Sequence, residues 1–106
     1  MLVINLNVYY ELGDLKFEWD SEKAEKNWQK HKVLFKVAAR VFLDDCRIDG
    51  YDELHSDEEE RIKVVGHVEK ILTVIYVERG ERNRIISARR ATKYEEDEYY
   101  GQVGDF

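Results

Sequence analysis

Arginine is the side chain best suited to holding a phosphate at neutral pH, because its planar fork donates two parallel hydrogen bonds and its charge is never lost. In this chain of 106 residues such arginines stand at the ends of segments that read as strands. RIISARRAT, from Arg84 to Thr92, has a short apolar centre, Ile85 and Ile86 with the small Ser87 and Ala88, and charged ends at Arg84, Arg89 and Arg90. Arg61 opens the alternating run Ile62, Val64, Gly66, Val68, and Arg79 closes the run that contains ILTVIYV. In an antiparallel meander these ends can meet at one sheet edge, which makes Arg61, Arg79 and Arg89 the candidate phosphate grip. Arg84 lies at the other end of the strand from Arg89, about 17 Å away at about 3.4 Å per residue, and ranks below them as a binding contact together with Lys63.

Such a grip needs a sheet and flanking elements. Asp20 or Ser21 can cap a first helix in which Ala24, Trp28 and His31 recur at helical spacing, placing Trp28 in the core. A second helix follows Val33, with Phe35, Ala38, Ala39 and Phe42 as its apolar stripe, and Asp44 and Asp45 end it. Arg47 to Leu54 reads as a weaker first strand, followed by the two runs above and RIISARR. Turns fall at Glu69–Lys70 and Arg79–Gly80–Glu81. Thr92 and Glu95 spell a capping box that starts a helix at Lys93, with one or two of Tyr94, Tyr99 and Tyr100 packing it on the sheet. Before the first helix, the alternation Leu2, Ile4, Leu6, Val8 suggests an added strand, hairpinned through Gly13 and Asp14 to Phe17–Trp19. The expected fold is therefore α+β and a single domain, 1–106. It has two N-terminal helices, an antiparallel sheet of about four strands with a possible N-terminal hairpin, a C-terminal helix, and a flexible tail over 101–106.

Composition narrows the function. The net charge of −6 argues against a protein coated in nucleic acid. Its distribution argues the other way: Arg61 to Lys93 holds nine basic and three acidic residues, a local +6 that leaves −12 elsewhere. An acidic chain with one basic sheet can bind RNA locally. A lone cysteine, Cys46, suits a reducing cytoplasm. The opening MLVINLNVYYELGD lacks the positive start of a signal peptide, and no apolar run approaches the roughly 20 residues of a membrane helix. His31, His55, His67 and Cys46 have no close ligand spacing, so neither a metal nor another cofactor is expected.

With the elements placed, the chain resembles the BrnT family of bacterial toxins, ribonucleases of type II toxin-antitoxin pairs with a RelE-like fold. The residues that carry the likeness are FEWD from Phe17, Asn27, Lys30 with His31, Phe35, Phe42 with Asp44, DELHSDEEER from Asp52 to Arg61, Gly66, ERG from Glu78, and RIISARRAT with Glu95 and Tyr99. The first 16 residues stand outside this pattern as a variable extension, and Lys32 replaces a glycine that relatives carry after the Lys-His pair. The resemblance implies RNA cleavage that inhibits translation and growth, neutralisation by a BrnA-like antitoxin, and contact with DNA only through that antitoxin.

Cleavage without a metal requires deprotonation of the 2′-hydroxyl, stabilisation of the charge gathering on phosphorus, and protonation of the leaving 5′-oxygen. The arginines suit the second task. For the proton transfers the resemblance points to His31 and Glu60, with Lys30 as a phosphate contact. Histidine titrates near neutrality, whereas Glu60 beside Arg61 is better fitted to pair with the arginine than to act as an acid. Read singly, each arginine is a surface ion pair, His31 a half-buried helical residue, and the Asp57–Glu60 run a solvated turn. The alternative function is a non-catalytic RNA- or protein-binding module that retains the toxin fold.

Overall fold

The computed structural model describes residues 6–52 and 59–103. Strands β1 (Asn7–Leu12) and β2 (Leu15–Asp20) form a hairpin, and Gly13 supplies the positive φ of +61° that its turn requires. Helix α1 (Ser21–His31) and the short α2 (Phe35–Ala39), extended by a 3₁₀ turn at Arg40–Leu43, lead to β3 (Ile48–Tyr51). Then come β4 (Ile62–Val68), β5 (Lys70–Arg79), β6 (Arg82–Arg90) and helix α3 (Lys93–Val103). The class is α+β, as expected. The sheet has six strands in the order β1-β2-β6-β5-β4-β3, the four of the expected meander and the two of the N-terminal hairpin. The N-terminal hairpin joins it because β2 pairs parallel to β6, Phe17 with Asn83 and Glu18 with Arg84, while every other pairing is antiparallel. Alternation along a strand reveals its faces but not its partner.

Alternation does sort the two sides of the sheet. Val64, Val68, Leu72, Val74, Ile85 and Ala88 join Phe17, Trp19, Phe35 and Phe42 in the main core beneath α1 and α2. Val65 and Ile71 face the other way and pack with Tyr99 of α3. Gly66 lets the 3₁₀ turn lie directly on β4, since a Cβ there would stand 2.7 Å from Val41 Cγ1.

Asp20 is the cap of α1, accepting from the amides of Glu22 at 2.8 Å and Lys23 at 3.2 Å. The face α1 buries is only partly the expected one: Ala24 packs on the core, but Trp28 does not enter it. Trp28 is 39% exposed, and Asn27 is the residue that enters the core. Its amide nitrogen donates to the carbonyls of Val33 and Ala88, and its oxygen accepts from the Ala88 amide at 3.0 Å. These bonds satisfy backbone groups of β6, much as a neighbouring strand would. At the far end of α1, Lys32 takes the left-handed conformation, φ 58°, that glycine would hold with less strain.

Candidate nucleic-acid interface

Cross-strand register places the cations. Val77 is opposite Arg84 and Thr73 opposite Arg89 across β5 and β6, so Arg84 and Arg89 share the sheet face that carries α3. Lys63 is opposite Ile75 on the same face, and Arg61 precedes it by one full pleat. One face thus carries Arg61, Lys63, Arg79, Arg84 and Arg89, but they form two groups.

At the first end, Arg61, Arg79 and Arg84 surround one open pocket of about 320 Å³, together with Lys23, Glu59, Val77 and Ile86. The expected convergence of Arg89 with Arg61 and Arg79 is corrected here. In a meander the start of β4, the end of β5 and the start of β6 share an edge, so Arg84 joins the pair and Arg89 lies at the far end. Arg79 donates to Glu59 through both Nε and a terminal nitrogen, at 3.1 and 2.6 Å. Its charge and hydrogen bonds hold the Glu59 carboxyl below the usual range, so Glu59 is ionised at neutral pH. Both partners are nearly half exposed, which makes the pair weak and exchangeable. Arg84 is held more firmly, donating to Glu18 and to the side-chain oxygen Oδ1 of Asn7, each at 2.6 Å.

At the second end, Glu95 is the centre. Its side chain is only 5% exposed, and it accepts from Arg89 through both oxygens, at 2.7 and 3.1 Å, and from Thr73 at 3.0 Å. Lys63 approaches to 3.2 Å, and the Thr92 amide completes the capping box at 2.8 Å, answered by the Thr92 hydroxyl on the Glu95 amide. Burial pushes the Glu95 carboxyl up, but these donors outweigh it and hold the group well below the usual carboxylate range. Further along α3, Tyr99 donates to Asp44 at 2.6 Å. Burial raises that carboxyl too, and the bonds from Tyr99 and from the His67 and Cys46 amides bring it below its ordinary value.

The remaining expected residues lie apart. His31 lines a groove on the helix side with Val33, Leu72 and Arg90; burial, then the charges of Lys30 and Arg89, lower its pKa and favour the neutral imidazole. Lys30 is exposed on the same helix end, and Glu60 is exposed beside Glu59. His55 lies outside the described residues. Among the described residues no three His, Cys, Asp or Glu side chains cluster as a metal site, and no helix is long and apolar enough to cross a membrane.

Sequence reasoning missed Glu59, Glu18 and the proximity of Arg84. The last was recoverable: counting outward from the Gly80–Glu81 turn pairs Arg79 with Arg82 and brings Arg84 opposite Val77. The acid partners left no comparable signal.

Fold and site together define a small α+β domain with an arginine-lined sheet face. The family model described as ribonuclease toxin, BrnT, of type II toxin-antitoxin system matches residues 19–95, and the chain belongs to that family. Among solved structures, it is similar to the 1.1 Å crystal structure of the Brucella abortus ribonuclease toxin BrnT. The TM-score is 0.54 and the identity 24%, over 71% of this chain and 94% of that one. No curated protein matches the sequence. The hairpin strand β1 precedes the matched segment, so this chain carries a strand ahead of the shared family region.

Proposed function

We propose that this chain is itself a ribonuclease toxin, and that RNA lies across the sheet face with its scissile phosphate in the Arg61, Arg79, Arg84 pocket. The observation that carries this reading is the convergence on one open pocket of three arginines, Arg61 just before β4, Arg79 at the end of β5 and Arg84 near the start of β6. Their donors would stabilise the charge that gathers on the phosphate as the 2′-oxygen attacks phosphorus and the P–O5′ bond breaks, the leaving 5′-oxygen taking its proton from water, a task of charge stabilisation that a divalent cation performs elsewhere. The reaction needs no metal on this account. Glu59, ionised and already against Arg79, lines the same pocket. It is placed to receive the 2′-hydroxyl proton once phosphate replaces it on the arginine. Lys63 and the exposed cations of the face extend the contact to flanking phosphates. An antitoxin of the BrnA type, acting in the cytoplasm, would neutralise the activity by covering this face.

The test is cleavage of end-labelled single-stranded RNA in EDTA by the purified chain and by Arg79→Ala and Arg84→Ala variants, alongside growth arrest on expression. Product from the parent chain in EDTA, reduced about 100-fold in each variant, with the melting temperature nearly unchanged in Arg79→Ala, is expected. Salt-sensitive binding of RNA without product would instead make the chain a binding module that retains the fold.

A further inference from the structure

The helix side of the sheet carries a second surface, remote from the arginine pocket. Between the end of α1, the start of α2 and the β4–β5 turn lies a groove of about 300 Å³. Its floor is apolar: Val33, Val37, Val68 and Leu72, with Trp28 and Leu34 exposed beside them at 39% and 51%. Its rim is basic, with Lys32, Lys70 and Arg90 against a single acid, Glu69. Arg79, Arg84, Arg89 and Lys63 each have a carboxylate partner. Among the described residues Lys70 and Arg90 have none, although the chain as a whole carries a net charge of −6. Lys32 only rests over the Trp28 ring, 5.4 Å from its centroid.

A second observation falls on the same groove. The described residues include two non-glycine positions with positive φ, Lys32 at 58° and Glu69 at 60°, and both line it. Glycine would hold either conformation with less strain, so a lysine and a glutamate there cost stability and put polar side chains on this rim.

We propose that this groove docks an acidic amphipathic helix of a partner protein. The apolar floor takes the i, i+3, i+4, i+7 side chains of such a helix, and the unpaired Lys70 and Arg90, with Lys32, meet its carboxylates. A nucleic-acid occupant suits the floor poorly, because a phosphate backbone has nothing to place against Val37, Val68 and Leu72. The groove opens on the opposite sheet face from Arg61, Arg79 and Arg84, so a helix seated here leaves that pocket uncovered. The inference does not depend on the ribonuclease reading.

The test is a display library of 16-residue helices with leucine at i, i+3, i+4 and i+7 and the other positions drawn from Asp, Glu, Lys, Arg and Gln, selected on the full chain. Enriched helices should be net acidic. Their affinity should fall about tenfold or more on Lys70→Glu/Arg90→Glu and on Leu34→Ser. Lys32→Gly should raise the melting temperature by roughly 4 °C while weakening binding several-fold. The proposal is overturned if nothing is enriched, if neutral or basic helices are, or if binding ignores the rim variants. It is equally overturned if Lys32→Gly keeps full affinity, or if a 12-nucleotide RNA displaces the selected helices from the groove.

Discussion

The two ends of one sheet face hold the same chemistry, arginine against glutamate, in opposite settings. At Arg89 the carboxylate is buried, accepts from four different residues, and belongs to the helix that follows the strand. At Arg79 it is exposed, comes from a loop, and accepts a forked pair of hydrogen bonds from Arg79. A buried carboxylate with every lone pair engaged fixes an element in place, and removing it strands its partners. An exposed one is a placeholder that a phosphate can displace, since Arg79 donates the same fork to either anion. On the proposed reading, the difference between a structural and a ligand-binding arginine therefore lies in its acid partner, not in the arginine.

The sharpest way to break the comparison is Glu95→Ala. It removes the cap of α3, leaves the Thr73 hydroxyl without its acceptor and strands Arg89 and Lys63, for an expected loss of about 3 kcal/mol of stability in a denaturant melt. Cleavage by the molecules that remain folded should change little. An Arg89→Ala variant that stays fully stable yet loses activity would reverse the assignment of the two ends.

Next in size is Arg79→Ala or Arg84→Ala, expected to slow RNA cleavage by about 100-fold, equivalent to about 2.7 kcal/mol of barrier. Arg79→Ala should barely move the melting temperature, because its pair is solvent-screened. Arg84→Ala should cost more stability, because it and Glu18 are each less than one-fifth exposed. Lysine at position 79 should restore RNA binding better than turnover, since a point charge cannot reproduce the bidentate contact.

How much of this was legible in the sequence follows from the same contrast. The capping box at Thr92–Glu95 was readable because it is local, four residues with a fixed bond pattern. The α2 stripe, Phe35, Ala38, Ala39 and Phe42, was readable because periodicity reports burial, and all four are buried. Asn27 was not, since a polar residue entering the core is decided by which backbone groups of β6 lack a strand partner. Arg89 was misplaced for want of register arithmetic. Glu59 read as part of a solvated acidic turn, and nothing short of the tertiary fold brings it against Arg79.

Acid provides a gentler probe of the second end. Glu95 and Asp44, which between them hold both halves of α3, have carboxyls whose folded pKa lies below the unfolded value near 4. Their stabilisation is complete above that value and is lost as pH falls through the folded one. Hydrogen exchange should therefore show α3 amides opening below pH 4 while β5 and β6 stay protected. Glu95→Gln should flatten this dependence, since glutamine has no proton to gain. Simultaneous opening of helix and sheet would show that the clamp does not set the local stability of α3.

The smallest expected effect is the most discriminating. If Glu59 only occupies Arg79 until phosphate arrives, Glu59→Gln weakens the competitor and should tighten binding of a non-cleavable 2′-deoxy substrate a few-fold, with stability unchanged. If Glu59 also takes the 2′-hydroxyl proton, the same variant cleaves all-ribose RNA more slowly despite binding it better, so affinity and turnover move in opposite directions. A carboxylate that merely solvates a turn would move neither. Because the substitution conserves shape and touches no buried group, that split in sign can be assigned to the anion exchange at Arg79 rather than to a disturbed fold.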